Sequence, residues 1–484
     1  MSELGKKIVS GTLWVTIDRL GTMSLQFVAN LMLARLLTPE DFGCIGMLAI
    51  FITVSNVFID AGFGSALIQN KNVTQQDYST IFYWNLFFSS FLYLGLFIAA
   101  PYIAGFFNYP ILCKVLRVFG LTLIINALFI VQNNRMRKQL AFRTLAIVNV
   151  SSYFLAAIIA VFMAYKGCGV WALVALSLLC GIFQNILLWS IIRWRPSLDF
   201  SFESLKRLFN FGGYLLAANI LQGVCQNLQS VIIGRKFSAV QMGLYSQAQK
   251  MNDVSVNTIS GIIVQTVFPA YSQVQEDREK MHALLDRSIR LISCIVYFIV
   301  FLLILVAAPL IAFLYGEKWI ESIPYFQILC TGGFFVCLQN INYYAVAAIG
   351  QSRALFRWSI YKWGMLLVLL LCGSHWGMHG ILWSMVISGF NIFMVNALLA
   401  VKYVGYTVGR QFRMLLPNFL VGIASFALAV GIPKITGNMH PVLTATIFAG
   451  GYILLTFVLR LNVLQDILSV KDIIINKFHL HDRF

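Results

Sequence analysis

The segment LARLLTPEDFG, residues 33–43, separates two long apolar stretches of the chain. Thr38 is predicted to cap a helix, with Pro39 at the first helical position and two acidic residues that complement the helix dipole. The apolar stretches near residues 12–34 and 43–68 are each longer than the roughly 20 residues that a helix needs to cross a bilayer. The sequence therefore predicts a tight turn between two transmembrane helices.

Apolar stretches of the same kind continue along the whole chain. Of its 484 residues, 59% are hydrophobic and 11% are charged, against about 45–50% and about 25% in soluble domains. We predict an all-α integral membrane protein with about fourteen transmembrane helices. The remaining predicted spans lie near residues 79–104, 112–133, 144–165, 169–192, 211–233, 242–268, 291–314, 324–349, 355–373, 377–400, 412–432 and 441–460.

The net charge of +17 is distributed unevenly. If the N-terminus is cytoplasmic, 25 of the 35 Lys and Arg residues fall on the inside and 8 on the outside, while Arg19 and Lys250 lie within spans. Such a bias predicts a multi-pass protein with both termini cytoplasmic. No basic patch sits on a soluble domain, so nucleic-acid binding is not expected. The longest polar stretches, residues 193–210 and 271–290, are predicted to be cytoplasmic loops.

The turn sequence has a counterpart 200 residues later. IGRKFSAVQMG at residues 233–243 aligns with residues 33–43 without a gap, and the Arg and the final Gly coincide. Two further pairs of similar segments follow in chain order, residues 140–143 with 354–357 and residues 169–170 with 380–381. We interpret the three matches as two parallel halves of six spans each, and chance recurrence of loop chemistry is the alternative.

The repeat predicts how the chain is organised. We expect two pseudo-symmetric six-helix lobes around a central cavity, followed by two C-terminal helices and a cytoplasmic tail, at residues 1–205, 206–405, 406–460 and 461–484. Rocking of two such lobes opens a central cavity to each side of the membrane in turn. The organisation therefore indicates a transporter.

Basic residues within or next to the predicted spans are candidate binding residues, because a charge at mid-membrane costs roughly 2.5–3.5 kcal/mol. Four of them are predicted to line a watery cavity that binds an anionic, phosphorylated substrate: Arg19, Lys250, Arg290 and Lys362. For Lys250 the alternative is an ion pair with Asp253, which lies three residues further along the same helix face.

Acidic residues in the spans are candidates for binding a coupling proton or cation. They are Asp60, Asp18 and Asp253. Asp60 could instead lie at the membrane interface or pair with Arg19 or another basic residue. Asp18 and Arg19 are adjacent, so their side chains point about 100° apart on a helix and cannot both face one partner.

The remaining motifs favour neither an enzyme nor a metalloprotein. The nine cysteines include no CxxC pair, the six histidines lack metal-ligand spacing, and no metal or cofactor is expected. No GxxxxGK[ST] phosphate loop is present, so no ATP site is expected. A polysaccharide polymerase or glycosyltransferase would need a large external loop or a cytosolic domain, and the predicted spans leave room for neither.

Two stretches resemble a known family. ARLLTPEDFG at residues 34–43 resembles the signature at the first hairpin of bacterial polysaccharide flippases, and IDAGFGSALIQ at residues 59–69 is similar to the stretch that follows it there. The resemblance is to the Wzx group, most closely its colanic-acid exporter type, in the multidrug/oligosaccharidyl-lipid/polysaccharide exporter superfamily. The matching hairpin residues, which we interpret as structural, are Arg35, Pro39, Glu40, Asp41, Phe42 and Gly43.

The resemblance implies a function in the bacterial inner membrane. Members of the group move an undecaprenyl-pyrophosphate-linked oligosaccharide from the cytoplasmic to the periplasmic leaflet, for O-antigen, capsule or exopolysaccharide assembly. It implies an H+ or Na+ gradient as the energy source, and membrane lipid, a polymerase and glycan-assembly proteins as partners. A drug or metabolite/cation antiporter of the same superfamily is the alternative, which predicts acidic residues in the cavity.

Overall fold

The computed structural model describes residues 3–60, 63–70, 73–192, 194–436 and 440–459, which form α-helices and two short 3-10 helices. The described residues contain no β-strand. The chain divides into two compact units, Met1–Ser246 and Gln247–Phe484. The predicted tail at 461–484 and two residues of the second family stretch, 61–62, lie outside the described residues.

The first unit is built from long helices joined by short turns. Its helices are α1 (Glu3–Leu36), α2 (Pro39–Asp60), α3 (Phe63–Gln69), α4 (Gln75–Phe106), α5 (Ile111–Phe119), α6 (Leu121–Lys138), α7 (Phe142–Tyr165), α8 (Val170–Ile191) and α9 (Phe202–Lys236), followed by the first residues of α10 (Ala239–Gln273).

The second unit contains the rest of α10 and six further long helices. They are α11 (Arg278–Tyr315), α12 (Ile323–Ala348), α13 (Ser352–Gly373), α14 (Gly377–Val404), α15 (Val408–Thr436) and α16 (Pro441–Val458), with 3-10 turns at Glu317–Ser322 and Ser374–Trp376.

The predicted all-α membrane fold is confirmed. Every predicted span falls on a helix, and ten segments of the described chain are long and apolar enough to cross a membrane. One of the ten, Arg353–Val404, includes both α13 and α14, whereas the long helices α1, α9 and α10 are not among the ten. The number of fourteen spans and the lobe boundaries stay predictions.

The distribution of apolar and polar side chains agrees with a lipid environment. Large apolar side chains such as Phe87, Tyr102 and Phe313 are more than half exposed, while polar side chains such as Asn85 and Gln132 are fully buried. A protein in water would gain free energy from the opposite arrangement, because exposed apolar area is unfavourable there. The chain is therefore a multi-pass membrane protein.

Two sequence predictions about segment ends were wrong. The predicted loop 193–210 ends earlier, because α9 begins at Phe202. The predicted loop 271–290 is helical at both ends, and α11 begins at Arg278. Asp277 caps α11 by accepting a hydrogen bond of 3.1 Å from the backbone N–H of Lys280.

The two copies of the turn sequence touch each other within the first unit. A Cβ atom added to Gly43 at the start of α2 would overlap the carbonyl oxygen of Ala239. A Cβ atom added to Gly243 would overlap the carbonyl oxygen of Pro39. The contact is reciprocal, so the glycines that match in the sequence repeat are the residues that let the two helix starts meet backbone to backbone.

Candidate functional site

Asp18 on α1 is held by neutral hydrogen-bond donors. The Asn149 amide of α7 donates to both carboxylate oxygens, over 3.1 and 3.3 Å, and the Thr22 hydroxyl donates over 3.3 Å. Gln184 of α8 donates to the Asn149 side-chain oxygen over 3.3 Å. A half-buried carboxylate among amides and a hydroxyl presents oxygen atoms that a proton or a hard cation can bind.

Arg19 lies outside this network. Its side chain is exposed, whereas that of Asp18 is half-buried. Adjacent residues on a helix point about 100° apart, which explains why one faces α7 and the other does not. The structure therefore separates these two candidates.

Asp60 occupies the end of α2 and binds the backbone of the next helix. Its Oδ1 accepts a hydrogen bond of 3.3 Å from the N–H of Gly64, in the first turn of α3. A Cβ on Gly64 would lie 2.8 Å from the Asn134 amide nitrogen and 2.9 Å from Asp60 Oδ1, so glycine allows the three groups to converge. The half-buried Asp60 carboxylate therefore links α2 to α3.

The family hairpin forms a capped helix start. The Thr38 hydroxyl and backbone N–H donate to Asp41 over 2.8 and 3.0 Å, and the Asp41 N–H donates back to the Thr38 hydroxyl over 3.4 Å. The Tyr109 phenol donates to Glu40. Burial, followed by this hydrogen bond, raises the pKa of Tyr109, which keeps the phenol a donor. Phe42 is buried and Arg35 is exposed, as in a structural turn with an outward-facing charge.

Lys250 and Asp253 lie on α10 in the second unit. The Lys250 side chain is exposed, and Asp253 is half-buried. The Gln249 amide donates to Asp253 Oδ1 over 2.9 Å, so this acid has a neutral partner on its own helix. Their roles as cavity cation and coupling acid stay predictions.

Arg290 lies on α11 and is half-buried. Its Nη1 lies 3.5 Å from the sulfur of Met414 on α15, and its backbone carbonyl accepts 3.0 Å from the Asn418 amide. These contacts hold the backbone of α11 against α15.

Lys362 on α13 is buried, with 7% of its surface exposed. Its ammonium donates to the Asn396 side-chain oxygen of α14 and lies 5.6 Å from the centre of the Tyr343 ring on α12. The Asn396 amide in turn donates 3.0 Å to the carbonyl of Gln339. The described residues that contact the Lys362 ammonium are neutral, so no carboxylate among the described residues compensates its charge.

Three amide side chains complete these networks and were missed by the sequence analysis. They are Asn149, Gln184 and Asn396, each within a predicted span. A polar amide in an apolar span tends to face another helix, and this signal alone could have selected them. Which side chain each amide meets depends on helix rotation, which the spacing of spans does not give.

The sequence analysis also missed a group of hydrogen bonds that connects the start of α15 to α11. Asp286 accepts hydrogen bonds from Arg410, the shortest being 2.6 Å, and from the Tyr406 phenol at 2.5 Å. The described residues contain no group of three or more His, Cys, Asp or Glu side chains that could hold a metal ion.

The fold and these networks define a multi-pass helical membrane protein with buried polar side chains between its helices. A family model described as "Polysaccharide biosynthesis protein" matches residues 32–324. Because this match covers more than half of the 484 residues, the chain belongs to that polysaccharide biosynthesis family.

Comparisons with individual proteins agree with this assignment. The chain is 24% identical to the teichuronic acid biosynthesis protein TuaB of Bacillus subtilis, over 89% of this chain and 90% of TuaB. It is 23% identical to the lipopolysaccharide biosynthesis protein WzxC of Escherichia coli, over 77% and 76%. Its fold is similar to that of the lipid II flippase MurJ, with a TM-score of 0.73 at 12% identity, over 94% of this chain and 100% of MurJ.

Proposed function

We propose that the chain is a flippase that moves an undecaprenyl-pyrophosphate-linked oligosaccharide between the leaflets of the bacterial inner membrane. The observation that carries the proposal is the match of the polysaccharide biosynthesis family over residues 32–324 of a chain built from membrane helices. The MurJ-like fold supports the same mode of action, because it shows that these helices adopt an architecture found in a flippase.

Membrane-embedded cations fit the headgroup of such a substrate. A pyrophosphate cannot enter hydrocarbon without compensating charge, since transfer of an unpaired anion is prohibitively costly. Lys362 is a buried cation whose partners in the described chain are neutral, and Lys250 is an exposed cation on a predicted span. We infer that these two, with Arg19 and Arg290, supply positive charge along the substrate path.

The orientation and surroundings follow from the same proposal. Both termini are cytoplasmic, which the excess of Lys and Arg in alternate loops supports. The lobes at residues 1–205 and 206–405 then alternate access, while residues 406–460 add two spans. A polymerase and glycan-assembly proteins would receive the translocated unit, and the chain itself is not an enzyme.

The proposal is tested by deleting the gene in the native host and analysing surface glycan and lipid-linked intermediates. We expect loss of the surface polymer and accumulation of the lipid-linked unit in the cytoplasmic leaflet, because synthesis continues while translocation stops. Restoring the intact gene provides the control. Normal glycan together with raised sensitivity to cationic drugs would instead support the antiporter.

We further propose that Asp18 binds the coupling ion. The observation behind it is the arrangement of Asn149, Thr22 and Gln184, which fixes the carboxylate with neutral donors and leaves its charge available to H+ or Na+. Asp60 binds the backbone of α3, and Asp253 accepts from Gln249 on its own helix. The roles of these two acids in coupling stay predictions.

Replacing Asp18 with Asn is expected to remove the dependence of transport on an imposed ion gradient. The amide keeps the size of the side chain but cannot take up a proton or carry the charge that holds a cation. We expect gradient-driven transport in vesicles to fall by about tenfold, which corresponds to an activation barrier raised by about 1.4 kcal/mol.

The exposed Asp199, between α8 and α9, offers a matched control. Asp199→Asn should leave the gradient dependence unchanged, and so should Asp60→Asn if Asp60 serves only the α2–α3 link. Unchanged ion dependence in Asp18→Asn would remove Asp18 from the coupling mechanism.

A further inference from the structure

An open pocket of about 680 Å3 lies at the common end of three helices in the first unit. Its lining includes Arg135 and Met136 near the end of α6, Thr144 near the start of α7 and Ile191 at the end of α8. Each of these helices belongs to a segment apolar enough to cross a membrane. The pocket therefore lies where the hydrocarbon layer meets the headgroup layer.

Two guanidinium groups give the pocket its charge. Arg135 Nη1 is buried and has no hydrogen-bond partner among the described residues. The second, Arg195, uses its Nη1 to cap the end of α8, donating to the carbonyls of Ile192 and Trp194 over 3.1 and 3.0 Å. None of the described residues that line the pocket is acidic. A buried donor without an acceptor is costly, and an anionic ligand would satisfy it.

The wall between the two arginines is held in place by hydrogen bonds. The Trp194 indole donates 2.5 Å to the Gln75 side-chain oxygen, and the Gln75 amide donates 2.8 Å to the carbonyl of Arg195. The Arg135 guanidinium lies 5.9 Å from the Trp194 ring centre. These contacts fix the shape of the site before any ligand binds, which lowers the entropy lost on binding.

The opposite side of the pocket is apolar and continues toward the membrane. Ile191 lines the pocket and is exposed. Ile147 on α7 and Ile186 on α8, about one helical turn deeper in the membrane, are exposed as well. A ligand with a charged group and a hydrocarbon tail fits a charged pocket that continues into an apolar surface. Free phosphate would leave the apolar surface uncovered.

We propose that this pocket binds the phosphate headgroup of an anionic membrane phospholipid, with Arg135 as the principal contact and the acyl chain along Ile191 and Ile186. The volume suits one headgroup, and a lipid-linked oligosaccharide would leave most of its sugars outside it. The binding does not depend on the transport function.

The test measures phosphatidylglycerol retained by the purified full chain in nanodiscs of mixed phosphatidylglycerol and phosphatidylcholine, by native mass spectrometry. In Arg135→Gln we expect retained phosphatidylglycerol to fall about tenfold, the loss expected for one charge-assisted contact. Thr144→Phe should lower it similarly by filling the pocket without changing charge. Arg137→Gln is the matched control, because Arg137 is exposed, lies on the same turn of α6 and does not line the pocket.

The proposal is supported if Arg135→Gln and Thr144→Phe retain less phosphatidylglycerol while Arg137→Gln retains an amount within about twofold of the native chain. Equal retention in all variants overturns it, and so does an equal loss in Arg137→Gln, which would show diffuse charge attraction. The assignment to an anionic phospholipid would also be overturned if the native chain retained as much phosphatidylcholine as phosphatidylglycerol. It would be overturned as well if an equimolar polyprenyl pyrophosphate displaced the phosphatidylglycerol.

Discussion

Replacing Lys362 with Met is expected to make the protein more stable and its transport much slower. The ammonium is buried against the Asn396 side-chain oxygen and the Tyr343 ring, so the folded state bears the cost of a charge with neutral partners. Methionine has a similar shape and no charge, and replacing buried charges with apolar groups often stabilises by about 1–4 kcal/mol. We expect the free energy of unfolding to rise by about 1–3 kcal/mol.

Transport in the same variant should fall by about tenfold or more, because under the proposed function the anionic headgroup loses a cation on its path. The two quantities can be measured separately, as thermal unfolding in detergent and as flipping in vesicles. Lys402→Met is the control, since Lys402 lies exposed near the end of α14 in the same unit. A stabilised variant with native transport would show that Lys362 is no part of the substrate path.

A methyl group at Gly43 is expected to prevent correct packing of the first unit. The added Cβ would overlap the carbonyl oxygen of Ala239, and backbone atoms cannot move aside as the end of a flexible side chain can. Overpacking in a well-packed interior costs about 1–3 kcal/mol, and a backbone clash lies at the upper end or beyond. We therefore expect Gly43→Ala to lower the unfolding free energy by about 3 kcal/mol or more.

The matched control is Gly95→Ala within α4, where an added Cβ would meet no atom within 4 Å. That change should be neutral or stabilising by up to about 1 kcal/mol, because alanine favours a helix more than glycine does. The measurement is the yield of monodisperse protein on size exclusion, followed by its melting temperature. Comparable melting temperatures for the two variants would disprove the tight contact at Gly43.

The sequence predicted the elements well because apolar length and turn chemistry are local properties. Thr38 and Pro39 identified the start of α2, and the apolar spans identified the long helices. The start of α9 at Phe202 was missed because the polar character of residues 193–210 continues into the first turns of that helix. Hydropathy records how apolar a segment is and does not record where a helix begins.

The candidate site could be predicted only in part, because depth along a helix does not determine which way a side chain points. Asp18 and Arg19 have almost the same depth, yet one meets Asn149 and the other is exposed. Lys362 was assigned from position as a cavity cation, and the structure places it in a buried site beside Asn396. Partners such as Asn396 come from distant parts of the chain, and a single sequence does not show that they are neighbours.

The glycine contact near Gly43 also limits how the starts of α2 and α10 can shift. Any residue other than glycine at position 43 or 243 would place its Cβ atom against the carbonyl oxygen of Ala239 or Pro39, so only a register that keeps both glycines at the contact allows this approach. A change of register is therefore blocked by hard-sphere overlap. The paired glycines therefore fix the register between the starts of α2 and α10.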